Sequence, residues 1–128
     1  AIICTSGGFD IGSVKDADIF NKYEKLDKMN FQTALLAGHL ASHTLSEHGF
    51  LMFTGAAAVF NGPVNFAYAY AMTKSATHAL ALNMAERDAI PETSSVCTIM
   101  PQILDTKVNR EAMPDADFAT WAPTDSVA

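Results

Sequence analysis

The chain has 128 residues, 49% of them hydrophobic and 17% charged, with a formal net charge of -6 and an isoelectric point near 4.9. That length and apolar content build one domain with a real core, and the acidic balance, without any basic run, excludes non-specific attraction to nucleic acid or to an anionic membrane. No apolar stretch reaches the roughly 20 residues that span a bilayer, and the opening AIICTSGG is too short and too uncharged for a secretory signal; a cytoplasmic chain is expected.

The run AIICT reads as an apolar strand closed by SGG. It opens without a methionine or a polar lead-in, so the chain is expected to be cut from a longer one. Residues 17–48 read as a long helical stretch, LLAGHLASHTL being its apolar part, with Gly49 as its C-terminal stop. FLMFTG is a second buried strand, Gly62 and Pro63 mark a loop, and residues 66–87 read as a second helix. SSVCTIM is a third strand, broken by Pro101. Near the end, Thr124 stands as an N-cap after Pro123, and the helix that it opens stops within a turn. Strands that are continuously apolar and alternate with helices predict βαβ units on a parallel, Rossmann-like doubly wound α/β sheet over residues 1–128, with no internal repeat. Cys4 and Cys97 each lie in a strand-like run and are expected as buried free thiols.

One stretch carries chemistry. In FAYAYAMTKSATHALALNMA, Lys74 is the only cation, and Tyr70 precedes it by four residues, which puts both on one helix face. An ammonium beside a phenol favours the phenolate, lowers a pKa that is ordinarily about 10, and gives a proton donor near neutral pH. The spacing alone is common by chance; its weight comes from the setting, a lysine among Ala, Met, Thr and Ser where an unpaired cation is costly. His39 and His43 are four apart but have no third ligand at useful spacing, so no metal site is expected. His78, one turn after Lys74, reads as a packed or interface histidine. Both long helices are apolar around more than one face, which implies a second buried surface beyond the sheet and hence a partner.

Three segments, CTSGGF, YAMTKSATHAL and IMPQILDTKVNREAMPDADFATWAP, resemble in order parts of the short-chain dehydrogenases/reductases, and within that superfamily the chain is most similar to the dihydropteridine reductases. The last segment is long and specific and carries the resemblance further than the Tyr-Lys spacing does. The similarity covers essentially the whole chain. It lacks the family's N-terminal portion, with its glycine-rich dinucleotide turn and acidic ribose contact, and the family's final strand and helices.

The resemblance implies roles at individual positions. Tyr70 would be the proton donor, and Lys74 would bind the nicotinamide ribose while lowering the phenol's pKa. Asn30 falls where the superfamily holds a water that links the lysine to solvent; the residues alone read it as a helix-surface amide. The serine that usually completes the set falls at Ala57, a departure that disfavours an ordinary ketone reductase and that the dihydropteridine reductases share. Thr54 lies nearby, though a strand position favours packing. Gly7 and Gly8 would let backbone approach a cofactor, or form a simple turn. Phe9 stands where the group generally has a tryptophan against the pterin ring. Pro101, Ile103 and Thr106 match the segment that meets the nicotinamide carboxamide, where Gln102 replaces the usual valine. Met113, Phe118 and Trp121 belong to a loop over the substrate or to a surface loop with one tucked tryptophan. The resemblance thus implies NADH or NADPH as cofactor, a pterin as substrate and a homodimer built on the two long helices. The alternatives are another short-chain reductase of a conjugated substrate and a non-catalytic dimerising module.

Overall fold

A computed structural model describes residues 1–86 and 89–127. Three strands, β1 (Ile2–Cys4), β2 (Phe50–Thr54) and β3 (Ser95–Ile99), pair in parallel in the order β1-β2-β3. Their register sets Ile2, Leu51 and Val96 in one row, Ile3, Met52 and Cys97 in the next, and Cys4, Phe53 and Thr98 in the third. Because side chains alternate along a strand, the first and third rows share a face. That face is the core, where Leu51 and Phe53 are fully buried with Cys4.

The middle row is different. Ile3 is 58% exposed and Cys97 is exposed as well. Cys97 is therefore a free thiol as expected but not a buried one, because its row faces away from the helices; Cys4, one row on, is buried and free. The parallel α/β class stands, and the described residues cover one face of the sheet.

The long stretch expected over 17–48 is two helices joined by a π turn: α1 (Ile19–Leu26), the turn Asp27–Phe31, and α2 (Gln32–Thr44). The N–H of Gln32 donates to the carbonyl of Asp27, five residues back, which adds one residue to the turn and rotates everything after it relative to α1. The helix ends at Thr44, with Leu45 extended, earlier than Gly49 had suggested. Gly49 serves the next turn: a Cβ there would run into the Leu45 side chain and lie 2.7 Å from the carbonyl of Ser46, while the positive φ of 59° belongs to His48.

Against the sheet, α2 presents Ala34, Ala37, Gly38 and Ala41, spaced i, i+3, i+4 and i+7. Such small side chains bring the helix close to Phe53 and to Met84 of α4 (Tyr68–Ala85). The large apolar residues point the other way, with Leu35, Leu36 and Leu40 between 46% and 57% exposed. Residue 87, the expected end of the second helix, lies outside the described residues, and α4 closes at Ala85.

Three short elements were not legible beforehand. One is α3 (Ala57–Asn61), after which Gly62 makes the loop with φ of 153°. The others are β4 (Leu104–Asp105) and β5 (Ala122–Pro123), which pair in parallel and bracket α5 (Lys107–Ala112) and a 3-10 turn at Phe118–Thr120. Thr124 is the first residue of a closing 3-10 turn, Thr124–Ser126, and makes no side-chain cap. Among the described residues no helix is long and apolar enough to cross a membrane.

Phe53 has no exposed surface and sits where β2, α2 and α4 meet. Phe53→Ala is expected to lower stability by about 3–5 kcal/mol in urea unfolding, against less than about 0.5 kcal/mol for truncation of the exposed Phe20.

Candidate active site

The C-terminal ends of β1 and β2 open into the loop of residues 5–12 and the turn of residues 55–57. Both are held by side chains from the π turn and from α4. Asn30, in the π turn, is 2% exposed. Its Oδ1 accepts the N–H of Gly8 at 2.7 Å, and its Nδ2 donates to the carbonyl of Gly8 at 3.1 Å and to Oγ1 of Thr73 at 2.9 Å. The hydroxyl of Thr73 in turn donates to the carbonyl of Tyr70 at 3.0 Å. One amide thus fastens the loop after β1 to the first turns of α4. The surface-amide reading of Asn30 is overturned, since the added residue of the π turn carries it inward. Thr73, a member of this set, went unmarked in the sequence, where a threonine at the third place after a tyrosine has no signature.

Lys74 is 4% exposed, and its Nζ donates to the carbonyl of Thr54 at 2.8 Å, at the last residue of β2. No carboxylate among the described residues pairs with it. Burial therefore pushes its pKa below the ordinary lysine value. The Thr54 hydroxyl donates to the carbonyl of Cys4 at 3.0 Å, so it ties β2 to β1. At Gly7 a Cβ would lie 3.2 Å from Asn30 Oδ1 and 3.3 Å from Lys74 Nζ; at Gly8 it would meet the Met29 methyl at 2.6 Å. Side chains of the π turn and α4 thus come close to both glycines. Gly8 has its N–H and its carbonyl committed to Asn30, which leaves Gly7 as the position open toward a ligand.

Tyr70 lies on the outer side of this cluster, half-buried, with the Phe9 ring against it edge-on at 4.9 Å between centroids. The loop bearing Phe9 is brought there by an isolated parallel bridge between Gly12 and Ala67, in which Gly12 N–H donates to Phe66 and Tyr68 N–H to Gly12. The expected depression of the phenol by Lys74 is absent. Burial raises the Tyr70 pKa, and the ammonium is turned to the Thr54 carbonyl instead.

The remaining carried-over residues form a second group. Ala57 donates its N–H to the carbonyl of Pro101 at 3.1 Å, which links the turn after β2 to the segment after β3. Ile103 accepts from the N–H of Ala122 at 2.8 Å. Thr106 caps α5, its Oγ1 accepting from Asn109 at 3.2 Å, so its hydroxyl proton stays available. Arg110 forks onto Asp105 at 2.5 and 2.7 Å and lies over the Phe118 ring at 4.6 Å. Phe118 meets Trp121, which is 6% exposed, and Met113 ends α5. Asp105, Thr106, Arg110 and Phe118 line an open depression of about 600 Å³. The tucked tryptophan is therefore present, in a segment with its own short strands.

His39 and His43 pack edge to face at 4.6 Å, and no group of three or more metal-ligating side chains occurs among the described residues.

No protein-family model matches the chain. A dihydropteridine reductase of Dictyostelium discoideum is 32% identical over 127 residues, covering 98% of this chain and 54% of that protein. Among solved structures, a short-chain dehydrogenase of Burkholderia cenocepacia in complex with NADP superposes with a TM-score of 0.81 at 23% identity, over 98% of this chain and 53% of its own. A short-chain dehydrogenase/reductase of Serratia marcescens gives 0.75 at 26% identity, over 90% and 44%. The chain spans about half the length of the relatives that it matches. In fold and in sequence the chain is similar to short-chain dehydrogenases/reductases over that half of their length.

Proposed function

We propose that the chain carries the proton-donating and ribose-binding part of an NAD(P)H-dependent reductase that returns a quinonoid dihydropterin to the tetrahydro form. The observation that carries this reading is the gathering of Tyr70, Lys74, Asn30 and Gly7 at the C-terminal ends of two parallel strands, the place where open α/β sheets bind ligands. The similarity to a dihydropteridine reductase supports the substrate class, and the nicotinamide complexes of solved relatives support the cofactor.

The residues fit the nicotinamide-ribose end of such a cofactor. Lys74 is a buried cation that pairs with no carboxylate of the described residues, and the exposed Gly7 lies close beside its Nζ. Lys74 would donate to the ribose hydroxyls, and Asn30 would keep the Gly7–Gly8 backbone out of their way by its two bonds to Gly8. The cofactor, when bound, supplies hydride. Tyr70 holds the proton: with its pKa raised by burial it stays protonated at neutral pH, and its exposed side faces the loop of Phe9. Ala57 offers no hydroxyl to a developing alkoxide, which suits a conjugated ring that spreads charge over several nitrogens. Pro101, Ile103 and Thr106 would meet the carboxamide, with Thr106 keeping one O–H free to donate. Phe9, Met113 and Trp121 would flank the pterin.

The large residues turned outward on α2 and α4, among them Leu36 and Leu82 at 57% and 72% exposure, support a homodimer through these helices, in a protein that we place in the cytoplasm. Sedimentation of the wild-type protein should give a dimer, and Leu36→Glu with Leu82→Glu a monomer.

Three measurements test the chemistry. The wild-type protein should oxidise NADH or NADPH only in the presence of quinonoid dihydropterin, and Tyr70→Phe should lower kcat by roughly 10²–10⁴-fold. No cofactor binding and no turnover would leave the non-catalytic dimerising module. Lys74→Met should abolish cofactor binding while raising the urea midpoint, because the buried ammonium costs stability at every pH below its ordinary value. In a Tyr23→Phe, Tyr68→Phe background, ultraviolet titration should show the one remaining phenol ionising above pH 10. Its folded-state pKa being raised, the stability that it contributes is complete below pH 10 and lost as pH rises further.

A further inference from the structure

Four consecutive residues leave β2, and each is tied by its backbone. The carbonyl of Thr54 accepts from Lys74 at 2.8 Å. Gly55 N–H donates to the Ile99 carbonyl at 2.8 Å and Ala57 N–H to the Pro101 carbonyl at 3.1 Å. Between them Ala56 N–H finds a side chain: Nε2 of His78, at 3.1 Å. Gly55 and Ala57 thus bond alternately to Ile99 and Pro101 on the β3 side, and the N–H of Ala56 between them, which points the other way, is taken up by the imidazole.

The fit is close. A Cβ on Gly55 would collide with Nε2 of His78 and lie 2.9 Å from the Thr98 methyl, so glycine at 55 is what admits the ring. Phe60 of α3 meets the same ring at 6.3 Å. Since an amide N–H can only donate, Nε2 must be the unprotonated nitrogen and Nδ1 must carry the proton.

We propose that His78 is a positioning residue, a neutral imidazole that clamps the turn of residues 55–57 and through it fixes both the Thr54 carbonyl that holds Lys74 and the place of Ala57 beside the substrate. The consequence for catalysis rests on the reductase reading above; the clamp itself does not. Among the described residues Lys74, one turn earlier on α4, is the charged group against the ring, while the turn after β2, β3 and α3 contribute Gly55, Thr98 and Phe60. Burial first, and Lys74 second, hold the His78 pKa below 6.5. The clamp is therefore complete above pH 6.5 and is lost as pH falls through the folded-state value.

The test is nitrogen NMR of the uniformly labelled protein across pH 4.5–8, with His78→Gln to assign the ring, alongside NADH titrations over the same range. Expected are an unprotonated Nε2 at neutral pH, a midpoint below 6.5, and an Ala56 amide that shifts with that midpoint, together with an acid limb in NADH affinity. In His78→Gln, whose carbonyl accepts without titrating, the amide shift and the acid limb should vanish. In His78→Ala, Ala56 amide exchange should speed up roughly tenfold. A protonated Nε2 at neutral pH, an Ala56 amide indifferent to His78, or an acid limb that persists in His78→Gln overturns the proposal. Should His78→Ala fail to fold, the wild-type titration and the glutamine variant decide. A protein that binds no NADH counts against the reductase reading, and the ring and amide signals then decide the clamp alone.

Discussion

The site depends on one buried amide. Asn30 spends both its N–H donors and one lone pair of its Oδ1 on Gly8 and Thr73, and so joins the loop after β1 to the helix that bears Tyr70 and Lys74. A polar side chain this deep is tolerable only when it is satisfied, and satisfaction here calls for a loop backbone that comes close and a helix one residue off its regular phase. The π turn supplies the second condition and the glycines at 7 and 8 the first. Without the extra residue of that turn, α1 and α2 would run on as one regular helix with Asn30 on a different face.

Lys74 then acquires a setting that opposes stability. Its ammonium is dry, hydrogen-bonded to one strand-end carbonyl and unmatched by any carboxylate of the described residues. Stored cost of this kind is common at sites built to receive a ligand. The arrangement also changes the chemistry expected of Tyr70. Proximity in sequence suggested a phenol made acidic by its neighbour, whereas the tertiary structure directs the cation to Thr54 and leaves the phenol governed by burial. With the ammonium directed away, burial alone moves the phenol's pKa, and it moves it up.

The helices divide their apolar residues by size. α2 turns Ala34, Ala37, Gly38 and Ala41 to the sheet and leaves leucines outside, and α4 buries Ala69, Thr73, Thr77 and Ala81, with the large Met84 set against Gly38, while Met72 and Leu82 face out. Small inner residues let helix, helix and strand approach closely, so that dispersion attraction acts along the whole length of the packed surfaces. The large outer residues are what made both helices read as apolar all round.

The alternation of strands and helices, the parallel direction, the loop at Gly62 and the place of Tyr70 and Lys74 on one helix were all legible in the sequence, because each follows from local periodicity or from a residue with a single conformational meaning. The similarity to short-chain reductases was legible too, through long ordered motifs. The π turn was not, since its sequence, DKMNF, is compatible with an ordinary helix and only tertiary contacts select the wider turn. Nor were β4 and β5, two residues each and too short to show a period. The exposure of Cys97, the direction of the Tyr70 shift and the bond from Ala56 to His78 were decided by which face of a strand a helix covers and which carbonyl lies within reach. Those are distances between segments far apart in the chain, and no local pattern of residues encodes them.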